Sequence, residues 1–188
     1  MIPVQEDELL RLYAARSERA VAETQQLCGR ICFTLAARIL GSKEDAEECV
    51  SDALLAAWNA IPPAQPESLT AYLTALTRNI ALNRLKANNR LMRGGGQVPA
   101  ALDELAECVP AKESVEAEYD RRSFLNAVNA FLGTLPRETR VMFVRRYWYL
   151  ESSRDIAAAM HIRESKVRVT LMRTRRKLKA YLEQEDAE

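Results

Sequence analysis

Histidine is nearly absent from this chain, since His161 is the only one among 188 residues. A Ser/His/Asp or Cys/His catalytic arrangement needs a histidine beside its nucleophile, so the sequence offers no such site. Cysteine is also scarce, with four residues at positions 28, 32, 49 and 108. Cys28 and Cys32 lie one helical turn apart, but no second close pair completes four metal ligands. We therefore predict buried thiols, no metal or other cofactor, and a protein that is not an enzyme.

Long apolar stretches are missing as well. No run approaches the ~20 residues that a membrane-spanning helix needs. Residues 1–4 lead straight into charged sequence, without the apolar region of a signal peptide. The sequence thus predicts a soluble, cytoplasmic protein with reduced cysteines and no membrane insertion.

The net charge is only +1, but the charges are segregated along the chain. A basic stretch without an acid comprises Arg78, Arg84, Lys86, Arg90 and Arg93. An acidic stretch relieved only by Lys112 comprises Asp103, Glu104, Glu107, Glu113, Glu116, Glu118 and Asp120. A second basic stretch, from Arg163 to Lys179, holds eight basic residues and one acid. This order of basic, acidic and basic segments indicates two binding modules joined by a linker.

Residues 152–179 predict two helices separated by a tight turn. Ser152 and Asp155 have the spacing of a capping box at the start of the first helix, and residues 161–165 are too few for anything but a turn. Side chains suited to a buried stripe then recur at helical spacing, at Val167, Leu171, Thr174 and Leu178. This is the layout of a DNA-binding helix-turn-helix, whose basic second helix gains affinity by neutralising phosphates.

Helical periodicity also extends through most of the remaining chain. The prolines of residues 61–66 predict a loop, and the three consecutive glycines at 94–96 mark the clearest break. We predict an all-α protein of two small helical domains joined by a Gly-rich acidic linker, with a helix-turn-helix in the C-terminal domain. The predicted domains are residues 1–93 and 118–188, with the linker at residues 94–117.

Three ordered blocks lead to a more specific interpretation. The first block is residues 44–58, and the second combines residues 71–73 with 78–83. The third joins residues 134–140 and 145–147 to the helix-turn-helix. With these blocks the chain resembles, over nearly its whole length, a bacterial RNA polymerase sigma factor of the small, two-domain extracytoplasmic-function (ECF) type. The resemblance implies a docking helix for core polymerase, a helix that melts the −10 promoter element and a domain for the −35 element.

The resemblance gives each block its site residues. Docking on core polymerase is expected of Glu48, Ser51, Asp52 and Leu55. Contacts at the −10 element are expected of Arg78, Asn79, Asn83, Arg84 and Lys86, beside a loop before this helix that can hold an extruded base. Contacts at the −35 element are expected of Lys166, Arg168, Val169, Thr170, Arg173, Arg175 and Arg176. Within the −35 set we expect Lys166, Val169 and Thr170 to read bases. We expect Arg168, Arg173, Arg175 and Arg176 to position the helix on phosphates.

The residues also depart from the family pattern at a few positions. His161 stands where the family often has glycine in the turn, which predicts a left-handed backbone at a residue with a side chain. Tyr72 and Asn83 replace tryptophan and aspartate, and they keep an aromatic ring and a hydrogen-bonding group.

The predicted function is transcription initiation, with core RNA polymerase and promoter DNA as partners, and the resemblance implies an anti-sigma protein as a further one. One alternative is a helix-turn-helix regulator that binds operator DNA by itself, with the first domain as a sensor or dimerisation module. A sensor would need a concave pocket, and the first ninety or so residues show no distinctive polar cluster for one. Another alternative is a purely structural helical adaptor whose basic helix binds an acidic protein.

Overall fold

The structure of the protein is a computed structural model, which describes residues 4–91, 101, 104–105 and 117–185. The chain divides into two compact units, Met1–Gln97 and Val98–Glu188. Within the described residues there are eight helices with defined ends, further helical residues at 101 and 104–105, and no strand. The predicted all-α class is therefore confirmed. The predicted boundaries at 93/94 and 117/118 stay a prediction, because most of residues 94–116 lie outside the described part of the chain.

The first unit consists of four helices: α1 (Val4–Ala14), α2 (Arg19–Leu40), α3 (Lys43–Ala60) and α4 (Leu69–Leu91). Helix α2 ends at Gly41, whose φ of 74° is a left-handed conformation that glycine adopts without steric penalty. Ser42 then caps α3, since its side chain accepts a hydrogen bond from the backbone N–H of Asp45 at 3.1 Å. These local signals in the sequence explain why two long helices turn sharply into each other.

Small side chains let α2, α3 and α4 pack closely around one core. Its buried members are Cys28, Cys32, Val50, Ala53, Leu54, Ala57 and Leu73. The prediction of buried thiols is confirmed for Cys28, Cys32 and Cys49, while Cys108 lies outside the described residues. Burial raises the pKa of Cys49 to about 11, and its thiol donates a weak hydrogen bond to the carbonyl oxygen of Thr77. Such a thiol is a poor nucleophile at neutral pH.

A buried carboxylate connects α1 to the start of α4. The side chain of Glu6 is 5% exposed, and it accepts hydrogen bonds from the backbone N–H groups of Leu69 and Thr70 at 3.0 and 3.3 Å. The hydroxyl of Thr70 donates to the same carboxylate at 2.5 Å. Burial would raise the pKa of Glu6, but the hydrogen bonds from Thr70 and Leu69 outweigh it and hold the pKa below its ordinary 4.5. Glu6 therefore caps α4 as an ionised group.

The same contact fixes one end of the proline-rich loop between α3 and α4. Ile61 is buried at the start of this loop, and Leu69 is buried where α4 begins. Between them Pro62, Pro63 and Gln65 are exposed. The loop that the sequence predicts is thus held at both ends and presented to solvent in its middle.

The second unit contains α5 (Ala117–Thr134), α6 (Arg137–Tyr147), α7 (Ser153–Met160) and α8 (Glu164–Glu185). Its buried side chains come from all four helices and include Phe131, Met142, Phe143, Ile156, Val167, Leu171, Leu178 and Leu182. Phe131 of α5 packs on Tyr181 of α8 with ring centroids 5.6 Å apart. Helix α8 is therefore the element against which the other three are buried.

We expect Glu6→Ala to destabilise the first unit by about 1–2 kcal/mol, because it leaves the first N–H groups of α4 without their acceptor. Urea unfolding can be followed by the fluorescence of Trp58 in a Trp148→Phe background, which reports the first unit alone. Glu8→Ala is the matched control, since Glu8 is an exposed acid on the same helix. Equal stability of the two variants would contradict a capping role for Glu6.

Candidate nucleic-acid interface

The helix-turn-helix forms where the sequence predicts it. The hydroxyl of Ser152 accepts from the backbone N–H of Asp155 at 3.1 Å and donates to its carboxylate at 2.6 Å, which starts α7. His161 ends α7 in the left-handed conformation, with a φ of 55°. The next backbone N–H, of Ile162, returns to the carbonyl oxygen of Ala157 at 3.0 Å. A turn of three residues thus separates α7 from α8, and the predicted backbone at His161 is confirmed.

Helix α8 divides into a buried stripe and an exposed face. Val167, Leu171 and Thr174 are at most 3% exposed, as predicted from their spacing. A rotation of about 100° per residue places Val169 and Arg176 nearly opposite this stripe, with Arg173 beside them. Val169 is 42% exposed. These residues form an outward face on which predicted base-reading and phosphate-binding side chains are mixed.

Lys166 and Thr170 lie towards one border of this outward face. The ammonium group of Lys166 forms an ion pair with Glu138 of α6 at 2.7 Å, and both side chains are half exposed. Such a pair is weak in water, so Lys166 can exchange Glu138 for a nucleic-acid acceptor. Thr170 is partly exposed, and its position next to Lys166 agrees with the predicted register.

Arg168 and Arg175 lie on the other border of the buried stripe, about half a helical turn from Lys166. Both line a cavity of about 400 Å³ whose other charged residues are Glu104, Arg146, Arg154 and Glu164. Arg168 pairs with Glu164 at 2.6 Å. The structure therefore separates these two arginines from Arg173 and Arg176, with which they were grouped on sequence grounds.

Arg175 has a partner inside the second unit. Its guanidinium donates to the carboxylate of Glu104 and, at 2.7 Å, to the hydroxyl of Tyr147. Arg146 donates to the other carboxylate oxygen of Glu104 at 2.6 Å, and the side chains of Arg146 and Arg175 are only 14% and 22% exposed. This arrangement favours a structural role for Arg175 over the predicted phosphate contact, because a phosphate would have to displace Glu104.

The basic helix of the first unit shows a similar division. Asn79, Asn83 and Lys86 are exposed, and their spacing of four and three residues puts them on one face of α4. Arg78 lies to one side of this row and is half buried, and the loss of hydration lowers its pKa. Arg84 lies nearly opposite this row, in line with the buried Leu73 and Thr77. These three exposed side chains form one row along α4.

The predicted docking residues lie on the outward side of α3. Glu48, Ser51 and Asp52 are exposed, and Leu55 is an apolar side chain that is 58% exposed. Arg84 of α4 donates to Glu48 at 2.6 Å and also to the carboxylate of Asp52. Residues assigned to polymerase docking and to the −10 element therefore meet in one ion-pair cluster, which the sequence did not predict.

Sequence reasoning missed Glu6 and Glu104, and it did not single out Met172, which is 38% exposed on α8. Glu6 and Glu104 contact residues 63 and 42 positions away, so no local pattern could identify them. Met172 was detectable in principle, because it falls outside the buried stripe of its helix. Among the described residues no group of three or more His, Cys, Asp or Glu side chains is arranged to hold a metal ion.

Comparison with known families bears on both units. Sigma-70 region 2 matches residues 27–91, and Sigma-70 region 4 matches residues 125–178. Together the two segments span more than half of the chain, and they contain α4 and the helix-turn-helix respectively. The chain belongs to the sigma-70 family. In this member of the family, region 2 thus presents the row on α4, and region 4 presents the outward face of α8.

The individual relatives share less than a quarter of their aligned residues with this chain. The probable RNA polymerase sigma factor RfaY of Xanthomonas campestris pv. campestris is 24% identical over 165 residues. The match covers 86% of this chain, which spans 40% of the length of that relative. A solved structure of CnrH in complex with the cytosolic domain of CnrY is 23% identical, covers 96% of this chain and 98% of that one, and has a TM-score of 0.42.

None of the described helices combines the length and apolar character needed to cross a bilayer.

We expect Glu104→Gln to destabilise region 4 by about 2 kcal/mol, because it leaves two poorly exposed arginines without their anion. Burial would raise the pKa of Glu104, but Arg146, Tyr147 and Arg175 together hold it below its ordinary 4.5. A carboxylate with a lowered pKa stabilises the fold above pH 4.5, and this contribution is lost as the pH falls further. The difference in the free energy of unfolding between wild type and Glu104→Gln should therefore become smaller in acid.

The measurement is urea unfolding followed by Trp148 fluorescence in a Trp58→Phe background, at neutral pH and below pH 4.5. Glu183→Gln is the control, because Glu183 is an exposed acid on α8. If wild type and Glu104→Gln were equally stable at neutral pH, or if their difference in stability were unchanged in acid, Glu104 would not hold the two arginines.

Proposed function

We propose that this member of the sigma-70 family acts as an ECF-type sigma factor, which binds core RNA polymerase and directs it to a subset of promoters. The observation that carries the proposal is the order of the two matched regions on two separate helical units. Each unit also presents an exposed row of side chains suited to nucleic acid. Sigma factors are not enzymes in general, and the proposed role needs no catalytic residue in this chain.

The proposed docking surface is the outward side of α3, with Glu48, Ser51, Asp52 and Leu55. An exposed leucine among acids is the composition expected of an anchor that becomes buried in a polar interface. A basic, partly apolar surface on polymerase would complement it.

The proposed −10 contacts are made by Asn79, Asn83 and Lys86, next to the loop between α3 and α4. Amide side chains can hydrogen-bond to the edges of unpaired bases, and lysine attracts the backbone. Arg78 and Arg84, predicted for the same role, have less exposed side chains, and Arg84 is bound by α3. We place Arg78 at the border of this surface and Arg84 outside it.

The proposed −35 contacts are made by the outward face of α8. Lys166, Val169 and Thr170 lie near the start of the helix, where side chains of a helix-turn-helix reach base edges. Arg173 and Arg176 follow on the same face and are suited to phosphates. Arg168 remains a candidate for a phosphate at the edge of the contact, and we withdraw Arg175 from it because of its partners Glu104 and Tyr147.

The setting of this function is the bacterial cytoplasm, where polymerase and promoter DNA are found. The resemblance to ECF factors also implies an anti-sigma protein as an inhibitory partner. We include this partner in the proposal, and co-purification from the host is its direct test.

Reconstituted run-off transcription tests the proposed function. Core polymerase with this protein should produce transcripts from a subset of host promoter fragments that core polymerase alone does not transcribe. Promoter binding measured with and without core polymerase separates the alternatives, because a stand-alone regulator binds without core and an adaptor binds in neither case. Absence of template-dependent product from all host promoters tested would count against a sigma factor.

We expect Leu55→Arg to weaken binding to core polymerase by at least about tenfold, since it places a charge where an apolar anchor becomes buried. The fold should be unaffected because Leu55 is exposed. Ile31→Arg provides the control, as Ile31 of α2 is an apolar side chain of 44% exposure. Fluorescence titration with labelled core polymerase gives both affinities, and equal values would remove α3 from the proposed interface.

A further inference from the structure

Arg16 follows α1 in a backbone conformation that is unusual for its residue type. Its φ is 54°, in the left-handed region that side chains other than hydrogen adopt only at a cost in free energy. Gly41, which ends α2, adopts the same region without that cost. An arginine at the corresponding point after α1 indicates that its side chain makes contacts that offset the cost.

The guanidinium of Arg16 supplies a hydrogen bond that α3 cannot make by itself. In an α-helix the carbonyl oxygen of residue 58 accepts from the N–H of residue 62, but Pro62 has no N–H. Nη1 of Arg16 donates to this oxygen of Trp58 at 2.6 Å. The guanidinium also lies over the indole ring of Trp58, 5.4 Å from its centroid. Arg16 thus completes the last turn of α3, where the proline-rich loop begins.

The opposite end of this loop is held by α1 itself. The carboxylate of Glu6 accepts from the backbone N–H groups of Leu69 and Thr70, at the start of α4. The buried side chains at the two ends of the loop, Ile61 and Leu69, belong to one apolar cluster with Tyr13 of α1. The segment that precedes the match to region 2 therefore fixes both ends of the loop.

The loop adjoins the row of exposed side chains on α4. Tyr72 packs against the apolar cluster that contains both loop ends. A rotation of 100° per residue places Tyr72 within about 40° of Asn79, Asn83 and Lys86, so all four share one side of α4. DNA bound along this row would therefore reach the loop at the end where Tyr72 lies.

We propose that Arg16 is a positioning residue for base recognition, because it holds the loop in the conformation that accepts one unpaired base of the −10 element. This inference rests on the proposed function. Arg16 acts through the backbone of Trp58, and the base is contacted by the exposed part of the loop, which includes Gln65. Loss of the Arg16 side chain frees the loop at the α3 end only, since Glu6 still holds the α4 end. Selectivity for that base should then fall, while binding to the rest of the DNA changes little.

The test uses holoenzyme assembled from core polymerase and each full-length variant. The probe is a pool of duplexes with a randomised unpaired bubble, and sequencing of bound and unbound DNA gives the base preference at each bubble position. Gln65→Ala identifies the position that the loop reads, and Asn79→Ala identifies those that α4 reads. Arg16→Gly keeps the left-handed backbone and removes only the side chain. It should reduce the preference at the loop position about fivefold and leave the α4 positions unchanged.

Arg11→Ala is the matched control, because Arg11 is an exposed cation on α1 and its loss changes the net charge equally. It should leave every base preference unchanged. If Arg16→Gly does not fold, as judged by circular dichroism, Arg16→Asn takes its place with the same expected result. Asparagine tolerates the left-handed backbone, and its side chain is too short to reach Trp58.

Three results would overturn the inference. One is an unchanged preference at the loop position, or the absence of any position that depends on Gln65. Another is an equal loss of preference at the loop and α4 positions, which indicates general damage to the fold. The third is a uniformly weaker affinity with unchanged preferences, which indicates that Arg16 contacts a phosphate directly.

Run-off transcription by the wild-type protein separates this inference from the proposed function. Transcription with core polymerase, combined with any of these three results, would overturn the role of Arg16 and leave the proposed function standing. Absence of transcription from all host promoters tested would overturn both. Transcription together with a loss confined to the loop position would support both.

Discussion

The contact between the carboxylate of Glu6 and the start of α4 determines how region 2 is built. A helix begins with N–H groups that have no partner within the helix, and α4 begins in the interior, at Leu69, where water cannot supply one. An ionised carboxylate satisfies these donors and complements the positive end of the helix. Without the carboxylate of Glu6, the end of the loop next to α4 would no longer be fixed. The row of side chains on α4 would then no longer be held in a defined position relative to α1. The helix that supplies the carboxylate precedes the segment matched to region 2.

Region 4 solves a different electrostatic problem. A helix that must attract DNA carries many cations, and those that point towards the protein interior need anions there. The structure meets this need for Arg175, which Glu104 binds. The more exposed Arg168 and Lys166 pair with Glu164 and Glu138 on opposite borders of α8. The outward face keeps its positive charge because Arg173 and Arg176 are directed away from these acids. The same helix thus presents positive charge on its outward face and pairs cations with acids along both borders.

Local signals explain why much of this fold was predictable. The caps at Ser42 and Ser152 are recognised from an acid three residues later, and the buried stripe of α8 follows from a period of 3.6 residues. The left-handed backbone at His161 follows from its place at the end of a helix, before a turn. Such features depend on neighbours within one or two helical turns, so a single sequence contains enough information to locate them.

The remainder depends on side chains that are distant in sequence. Glu6, Glu104 and Arg84 each act across 32 residues or more, and an acid or arginine in a polar stretch gives no sign of such a partner. The grouping of Arg175 with the phosphate-binding arginines did not take this into account, because spacing places a side chain on a border of the buried stripe but does not reveal the acid that it meets there. The site residues themselves stay predictions until DNA and polymerase binding are measured.

The position of Glu104 has a consequence for how region 4 can be isolated. The match to region 4 begins at residue 125, and α5 begins at Ala117. A fragment that starts at residue 117 or 125 would lack Glu104, the anion between Arg146 and Arg175. The two poorly hydrated cations would then repel each other next to Tyr147. The buried side chain of Ala101 belongs to the same unit. A fragment of this region that is meant to fold by itself should therefore include residues 101 and 104, in sequence whose composition alone predicts a linker.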